Sequence, residues 1–288
     1  MSREYLIVAA VVLLGLVALL FLKPGKTARS EQHQAQMQES GVVKLIAKDY
    51  GFEGPAILKE GLITFQMENH GQELHHATIL KIGEGHSTQE FMELLKKPSE
   101  GPMPAWLTEF GGPNGVVGGD TANAAVRLDP GQYVWICFIP SADGVPHFAK
   151  GMVKPFLVEA SKSGTAQQPT ADLKMSLHDF SFEFPAEISA GKHTIMVENK
   201  GPQHHEFEIV KLSKEATLQG MIDWAQTEQG PPPPVKWIGG LSGTAMRNTA
   251  FVNVRLEPGD YALLCFLPDL ADGKNHITHG MVQAFTVK

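Results

Sequence analysis

The sequence repeats itself over most of its length. A shift of 130 positions lays Lys44-Leu45 on Lys174-Met175, Asp49-Tyr50 on Asp179-Phe180, and Phe52-Glu53 on Phe182-Glu183. The same shift superposes Pro55-Ala56 on Pro185-Ala186, Gly61 on Gly191, Glu68-Asn69 on Glu198-Asn199 and Lys81 on Lys211, without a gap. Further along, a shift of 128 aligns Arg127-Leu128, Pro130-Gly131, Tyr133 and Cys137 with Arg255-Leu256, Pro258-Gly259, Tyr261 and Cys265. A period this long is a duplicated domain, not one of the roughly 20–50-residue units of a solenoid. The chain therefore divides into a first domain at 42–160 and a second at 172–288, joined by a Ser/Thr/Gln/Gly-rich linker at 161–171.

Local patterning makes both copies β. With 29 Gly and 19 Pro among short runs of β-branched residues, turns are frequent and long helices are excluded from the repeats. Ile63–Met67 and Thr194–Val197 read as strands ending in Asn-x-Gly turns, followed by strand-like alternation over His75–Ile82 and His205–Leu212. Each copy carries one short helical insertion. In the first, Ser87 or Thr88 caps a helix whose apolar face is Phe91, Leu94 and Leu95; in the second, Leu218, Met221, Ile222 and Trp224 make that face. The fold class is thus all-β, as two tandem sandwiches. A formal net charge of −7 without any basic, aromatic-interleaved patch excludes nucleic acid as a partner.

Before the repeats, Tyr5–Leu22 is an uncharged run of eighteen residues. As a helix it measures about 27 Å, close to the roughly 30 Å of bilayer hydrocarbon. Residues 1–23 are expected to form an uncleaved, single-pass membrane anchor, with a removed signal peptide as the alternative. The Gln-rich stretch 24–41 then acts as a tether. Lys23, Lys26 and Arg29 follow the run and only Arg3 precedes it, so charge by itself favours a cytoplasmic C-terminal side.

Chemistry concentrates in one loop per copy. Cys137 is followed by His147 and Met152, and Cys265 by His276 and Met281. The two cysteines are the only ones in the chain and occupy equivalent places, so they read as separate thiols or metal ligands rather than a disulfide. The gapless register aligns His75 with His205, and His76 with Glu206. Apolar residues at +2 and +4 from His75 and His205 turn these two rings inward, and His76 and His204 outward. Two imidazoles, a thiolate and a weak thioether are the donors of a mononuclear blue-copper electron-transfer site, where mixed soft and borderline ligands hold both Cu(I) and Cu(II). The bland reading is that duplication preserves ancestral residues, that a lone cysteine in a strand is a small core hydrophobe, and that Met152 and Met281 are core as well.

On Asn69-x-Gly71, His75, Tyr133-x-x-x-Cys137, His147 and Met152, and on Asn199-x-Gly201, His205, Tyr261-x-x-x-Cys265, His276 and Met281, the chain resembles the cupredoxin family. The resemblance covers nearly all of 42–158 and 172–288. It implies Greek-key β-sandwiches, copper held by His75, Cys137, His147 and Met152 and by His205, Cys265, His276 and Met281, and a location outside the cytoplasm. That location sets the expected topology: a single pass through the inner membrane with both domains on the periplasmic side. The Cys-to-His loop, with Pro140, Gly144-Val145-Pro146 and Gly151-Met152, is similar to that of two-domain copper nitrite reductases. Such enzymes build a second copper centre from a His beside the Cys or from His-x-His pairs. Here Ile136 and Leu264 precede the cysteines and His-x-His is absent. The expectation is therefore that the chain is not an enzyme but an anchored copper-binding protein working by outer-sphere electron transfer. The alternative is a copper-free accessory subunit of a membrane redox or photosynthetic complex, and the third reading is a copper reductase or oxidase. Expected partners are the membrane, such an integral-membrane complex, and a soluble electron carrier.

Overall fold

The computed structural model describes residues 41–96, 103–161, 167–227 and 232–288. The expected anchor at 1–23 and almost all of the tether lie outside them. Among the described residues no helix is long and apolar enough to cross a membrane.

Nine strands in the first half are β1 Val42–Lys48, β2 Gly51–Glu53, β3 Ile57–Lys59, β4 Gly61–Asn69, β5 Thr78–Ile82, β6 Leu107–Glu109, β7 Thr121–Leu128, β8 Gly131–Ile136 and β9 Val153–Glu159. The second half has β10 Leu173–His178, β11 Ser181–Glu183, β12 Glu187–Ile188, β13 Gly191–Asn199, β14 His205–Lys211, β15 Lys236–Thr244, β16 Thr249–Leu256, β17 Gly259–Leu264 and β18 Val282–Val287. Each strand of the first half thus has its counterpart nine strands later. The neighbours recur too: one sheet runs β3-β9-β8-β5-β6 and another β12-β18-β17-β14-β15. The helices are α1, Thr88–Leu95, capped by the Ser87 hydroxyl accepting from the Glu90 N–H, and α2, Leu218–Thr227. Alternation along β1 and β4 buries Leu45, Phe65 and Met67 against Trp135 and Phe156 of the facing sheet, with Phe65 edge-on to Trp135 at 6.0 Å. That core is what makes each half a sandwich.

The two halves share a sheet. Its order is β11-β10-β13-β16-β7-β4-β1-β2, and the seam is an antiparallel pairing of Ala250 with Val126 and Phe251 with Ala125. On the other side the segments after β6 and within β15 interlock. Gly111 N–H donates to the Gly243 carbonyl at 2.8 Å, Ser242 N–H to Gly112 at 3.0 Å, and Asn114 N–H to Gly240 at 3.3 Å. Pro113 bridges Leu241, its own counterpart under the 128 shift, so the repeats meet through the same surface, as in an isologous dimer.

Glu208 lies in this junction. Its carboxylate accepts from the Gly115 N–H of the first half at 2.7 Å and from the Gly239 N–H at 3.1 Å. Burial raises its pKa well above the ordinary 4.5; the Gly115 N–H opposes this, and the neighbouring Glu206 adds to the rise. Folded protein thus holds a proton that the unfolded chain releases above 4.5, so this group's contribution to stability must fall as pH rises through that window, by at most about 1.4 kcal/mol per pH unit. Burial lowers His75, His76, His205 and His276, which works the other way below about pH 6.5. The test is therefore a difference: the melting temperature of the parent should exceed that of Glu208→Gln by more at about pH 5 than at about pH 8. An unchanged slope in the variant would show that Glu208 does not hold that proton.

Candidate metal centres

β4 ends in a turn that aims the first histidine. The fully buried Asn69 side chain donates to the carbonyls of Glu73 at 2.8 Å and Val116 at 2.7 Å, and accepts from the Gly71 N–H at 2.8 Å. Asn199 repeats this with Gln203, Thr244 and Gly201. His75 therefore precedes β5 instead of beginning it, held by reciprocal backbone bonds to Val116 at 3.2 and 3.1 Å. In the second half His205 is the first residue of β14. Losing three buried hydrogen bonds makes Asn69→Ala expensive, about 2–4 kcal/mol. The melting temperature of Asn69→Ala should fall accordingly, and that of Asn199→Ala by a similar amount; a neutral result at either would show that the turn is held otherwise.

β8 delivers the thiol. Cys137 follows its last residue, and the loop returns through a 3-10 turn, His147–Lys150, closed by Gly151 at φ +111°. Backbone bonds from Cys137 N–H to Met152 O, 3.2 Å, from Phe148 N–H to Cys137 O, 2.9 Å, and from Met152 N–H to His147 O, 2.9 Å, fold His147 and Met152 back beside the cysteine. His75, Cys137, His147 and Met152 are all at 0% exposure, as are His205, Cys265, His276 and Met281.

In the first half the His75 and His147 Nδ1 atoms stand 3.0 Å apart, and Cys137 Sγ is 3.4 Å from His147 Nδ1. The outer ring nitrogens are both occupied: His75 Nε2–H donates to Asp49 Oδ1 at 2.7 Å, and His147 Nε2–H to Glu73 Oε2 at 2.9 Å. An ionised carboxylate only accepts, so these contacts place the ring protons on Nε2. Both carboxylates are held below their usual range. For Glu73 the Tyr50 hydroxyl donating at 2.7 Å leads, with His147 assisting; for Asp49 burial opposes, and the Gln72 N–H, His75 and the Glu73 N–H together prevail. Two bare Nδ1 lone pairs therefore face each other beside a thiol. Burial lowers the His75 pKa, so the ring resists a second proton, and burial pushes the Cys137 thiol up to about 12. A dry pocket with two lone pairs converging and one displaceable thiol proton matches a soft or borderline cation. The His/Cys/His group fits a blue-copper-like copper site.

The second half repeats the inner geometry. His205 and His276 Nδ1 are 3.1 Å apart, Cys265 Sγ is 3.4 Å from His276 Nδ1, and His205 Nε2–H donates to Asp179 Oδ1 at 2.6 Å. The outer side differs. Gln203 stands where the first half has Glu73, and His276 Nε2 is buried without a partner among the described residues. Burial first, then the charge of His205, pushes His276 down to about 4, and burial raises the Cys265 thiol well above its ordinary value. His76, expected to point outward together with His204, is nonetheless buried under the first cysteine loop, and Glu206 is buried under the second. They accept the N–H that follows each cysteine, Phe138 N to His76 Nε2 at 2.8 Å and Phe266 N to Glu206 Oε1 at 3.0 Å. Asp269, Asp272 and His279 converge at the surface beside the second centre.

Of the eight residues singled out in the sequence, the structure brings together the donor atoms of His75, Cys137 and His147 and of His205, Cys265 and His276, with Met152 and Met281 buried beside them in the chain. Asp49, Asp179 and Glu73 were missed. The repeat did expose Asp49 and Asp179, as an aspartate recurring before an aromatic residue. Glu73 gave no such signal.

No family model and no curated protein sequence matches the chain. Among solved structures, the chain is similar to a multicopper oxidase at 14% identity, with 86% of this chain and 88% of that one covered and a TM-score of 0.25. It is also similar to an auracyanin of the photosynthetic bacterium Roseiflexus castenholzii at 20% identity, covering 40% of this chain and 94% of that one, TM-score 0.30. A third is the copper-containing nitrite reductase of Thermus scotoductus SA-01, at 13% identity, 86% and 61% coverage and TM-score 0.23. Against this set the expectation that the chain is not an enzyme is corrected. An oxidase and a reductase are enzymes, and the lack of a His beside either cysteine is no ground for excluding catalysis.

Proposed function

We propose that the chain binds one copper ion in each half, through His75, Cys137, His147 and Met152 and through His205, Cys265, His276 and Met281, and serves electron transfer. The observation that carries this is the recurrence, in both halves, of two inward Nδ1 atoms and a thiol at 0% exposure. Bound copper would supply a one-electron change between Cu(I) and Cu(II). The side chains supply the frame. Asp49 and Asp179 fix the tautomer and rotation of His75 and His205, the cysteine-loop backbone bonds hold sulfur and the second ring together, and burial excludes water. A site so braced rearranges little when its charge changes. Val145 and Leu270, exposed on the two Cys-to-His loops, offer apolar contact to a partner near each centre. We place the folded halves outside the cytoplasm, tethered through the apolar Tyr5–Leu22 run, with an integral-membrane redox or photosynthetic complex or a soluble carrier as partner. The test is metal analysis of the full chain after exposure to copper and dialysis, with paramagnetic resonance of the oxidised form. Two copper ions per chain with a cupric signal are expected; less than one sinks the reading.

A further inference from the structure

We propose that the two centres are unequal, the first built to favour the divalent and the second the monovalent state of the same ion. The inference rests on the copper reading above and goes beyond it. All six inner donors are equally buried and their spacings differ by 0.1 Å or less, so the inner shells cannot separate the sites. The outer shells can.

In the first half both ligand rings donate to carboxylates, Asp49 and Glu73. A carboxylate on the far nitrogen draws the ring proton toward itself and makes Nδ1 a stronger donor, which favours the more highly charged ion. In the second half only His205 has such a partner, Asp179. Gln203 is neutral and is also turned away: its amide donates to Asp269 at 2.8 Å and its oxygen accepts from the Leu270 N–H at 2.8 Å. Both polar ends of Gln203 are spent, which explains the orphaned His276 Nε2. The exchange is coordinated, since Tyr50, whose hydroxyl donates to Glu73, is replaced by Phe180, which has no hydroxyl to offer.

Glu206, buried under the second cysteine loop where the first half has His76, hydrogen-bonds the Phe266 N–H and not a ligand ring, so it does not strengthen a nitrogen donor. The other peripheral charges do not reverse the order. Near the first centre Lys150 lies 3.5 Å from the Tyr50 hydroxyl, but it is paired with Asp143 at 2.8 Å. Near the second, Asp269 reaches His276 only through space and shares its charge with Gln203 and the His279–Asp272 pair. A direct hydrogen bond to the ring outweighs both.

The experiment uses the full chain with one centre removed at a time. Cys265→Ser leaves the first centre and Cys137→Ser the second, and each is titrated reductively under paramagnetic resonance. The first centre should have the lower potential. Glu73→Gln should raise it, changing the oxidised-to-reduced ratio at fixed potential about tenfold, equivalent to about 59 mV for one electron. Gln203→Glu should lower the second by a similar factor, and Glu73→Asp should restore part of the first. Equal potentials in the parent centres, or exchanges that leave both unmoved, overturn this inference while copper binding stands. Failure of the unmutated chain to take up copper overturns the underlying reading, and this one with it. If Gln203→Glu does not fold, Glu73→Gln, which removes a charge, carries the test alone.

Discussion

A chain carrying both Cys137→Ser and Cys265→Ser folds, and after dialysis retains no copper and no thiolate-to-copper visible absorption. Each single variant retains half the copper of the parent. The sulfur is the one soft anionic donor in each pocket, 3.4 Å from a bare imidazole nitrogen and shielded from water. A serine oxygen fills nearly the same volume but is hard and holds its proton more tightly, so it offers the ion little in exchange. Second-sphere partners are worth about 10–100-fold in affinity, and a donor to the ion itself is worth more, so each loss should exceed about 100-fold. Folding should survive, because a serine hydroxyl can donate to His147 or His276 Nδ1 where the thiol stood. Undiminished copper in the double variant would show that the metal sits elsewhere.

The difference between what could be read in the sequence and what could not is one of contact range. The 130 and 128 shifts announced a duplicated sandwich, and the coordinates return every first-half strand with the same neighbours in the second. Cys, His and Met fall within one short loop whose closure is local, so their meeting was visible as spacing. His75 was reachable because apolar residues at +2 and +4 set its parity, although its own place is a bridge to Val116 outside the strand. The partners that set the rings' protons were not legible in this way. Asp49 meets His75 from the turn between β1 and β2, and Glu73 meets His147 from 74 residues away. Neither contact leaves a period. Glu73 also lacks a counterpart, and a repeat can highlight only what it repeats. The seam between Ala125 and Phe251 was hidden for a different reason: β7 and β16 alternate like other half-buried strands, with Arg127, Asn253 and Arg255 exposed, and one small and one aromatic residue on their outward faces name no partner.

Gly112→Ala and Gly240→Ala should each destabilise the protein by about 3–5 kcal/mol, lowering the melting temperature by roughly 10 °C. Gly112 sits at φ +142° with a Cβ position 2.0 Å from the Ala77 carbonyl oxygen, and Gly240 at φ +159° with one 2.1 Å from the Phe207 oxygen. Those φ values are open to glycine and hardly to any other residue. The obstacle is backbone on both sides, so no side chain can swing clear. The Ala77 amide is committed to the Pro113 carbonyl at 2.9 Å, and the Gly112 carbonyl receives the Ser242 N–H from the other half at 3.0 Å. Relief must therefore come from moving the segment that carries His75, or from opening the junction. Phe207 stands two residues after His205 as Ala77 stands two after His75, so the same wedge works at both centres. Copper affinity should weaken at the centre nearest the substitution, a loss a purely peripheral strain would not produce. Gly119→Ala is the control. Its φ of +88° is equally left-handed but its Cβ position meets nothing within 4 Å, so it should cost only about 1 kcal/mol. If Gly112→Ala costs no more than Gly119→Ala, the close approach of the two halves does not brace the metal centres.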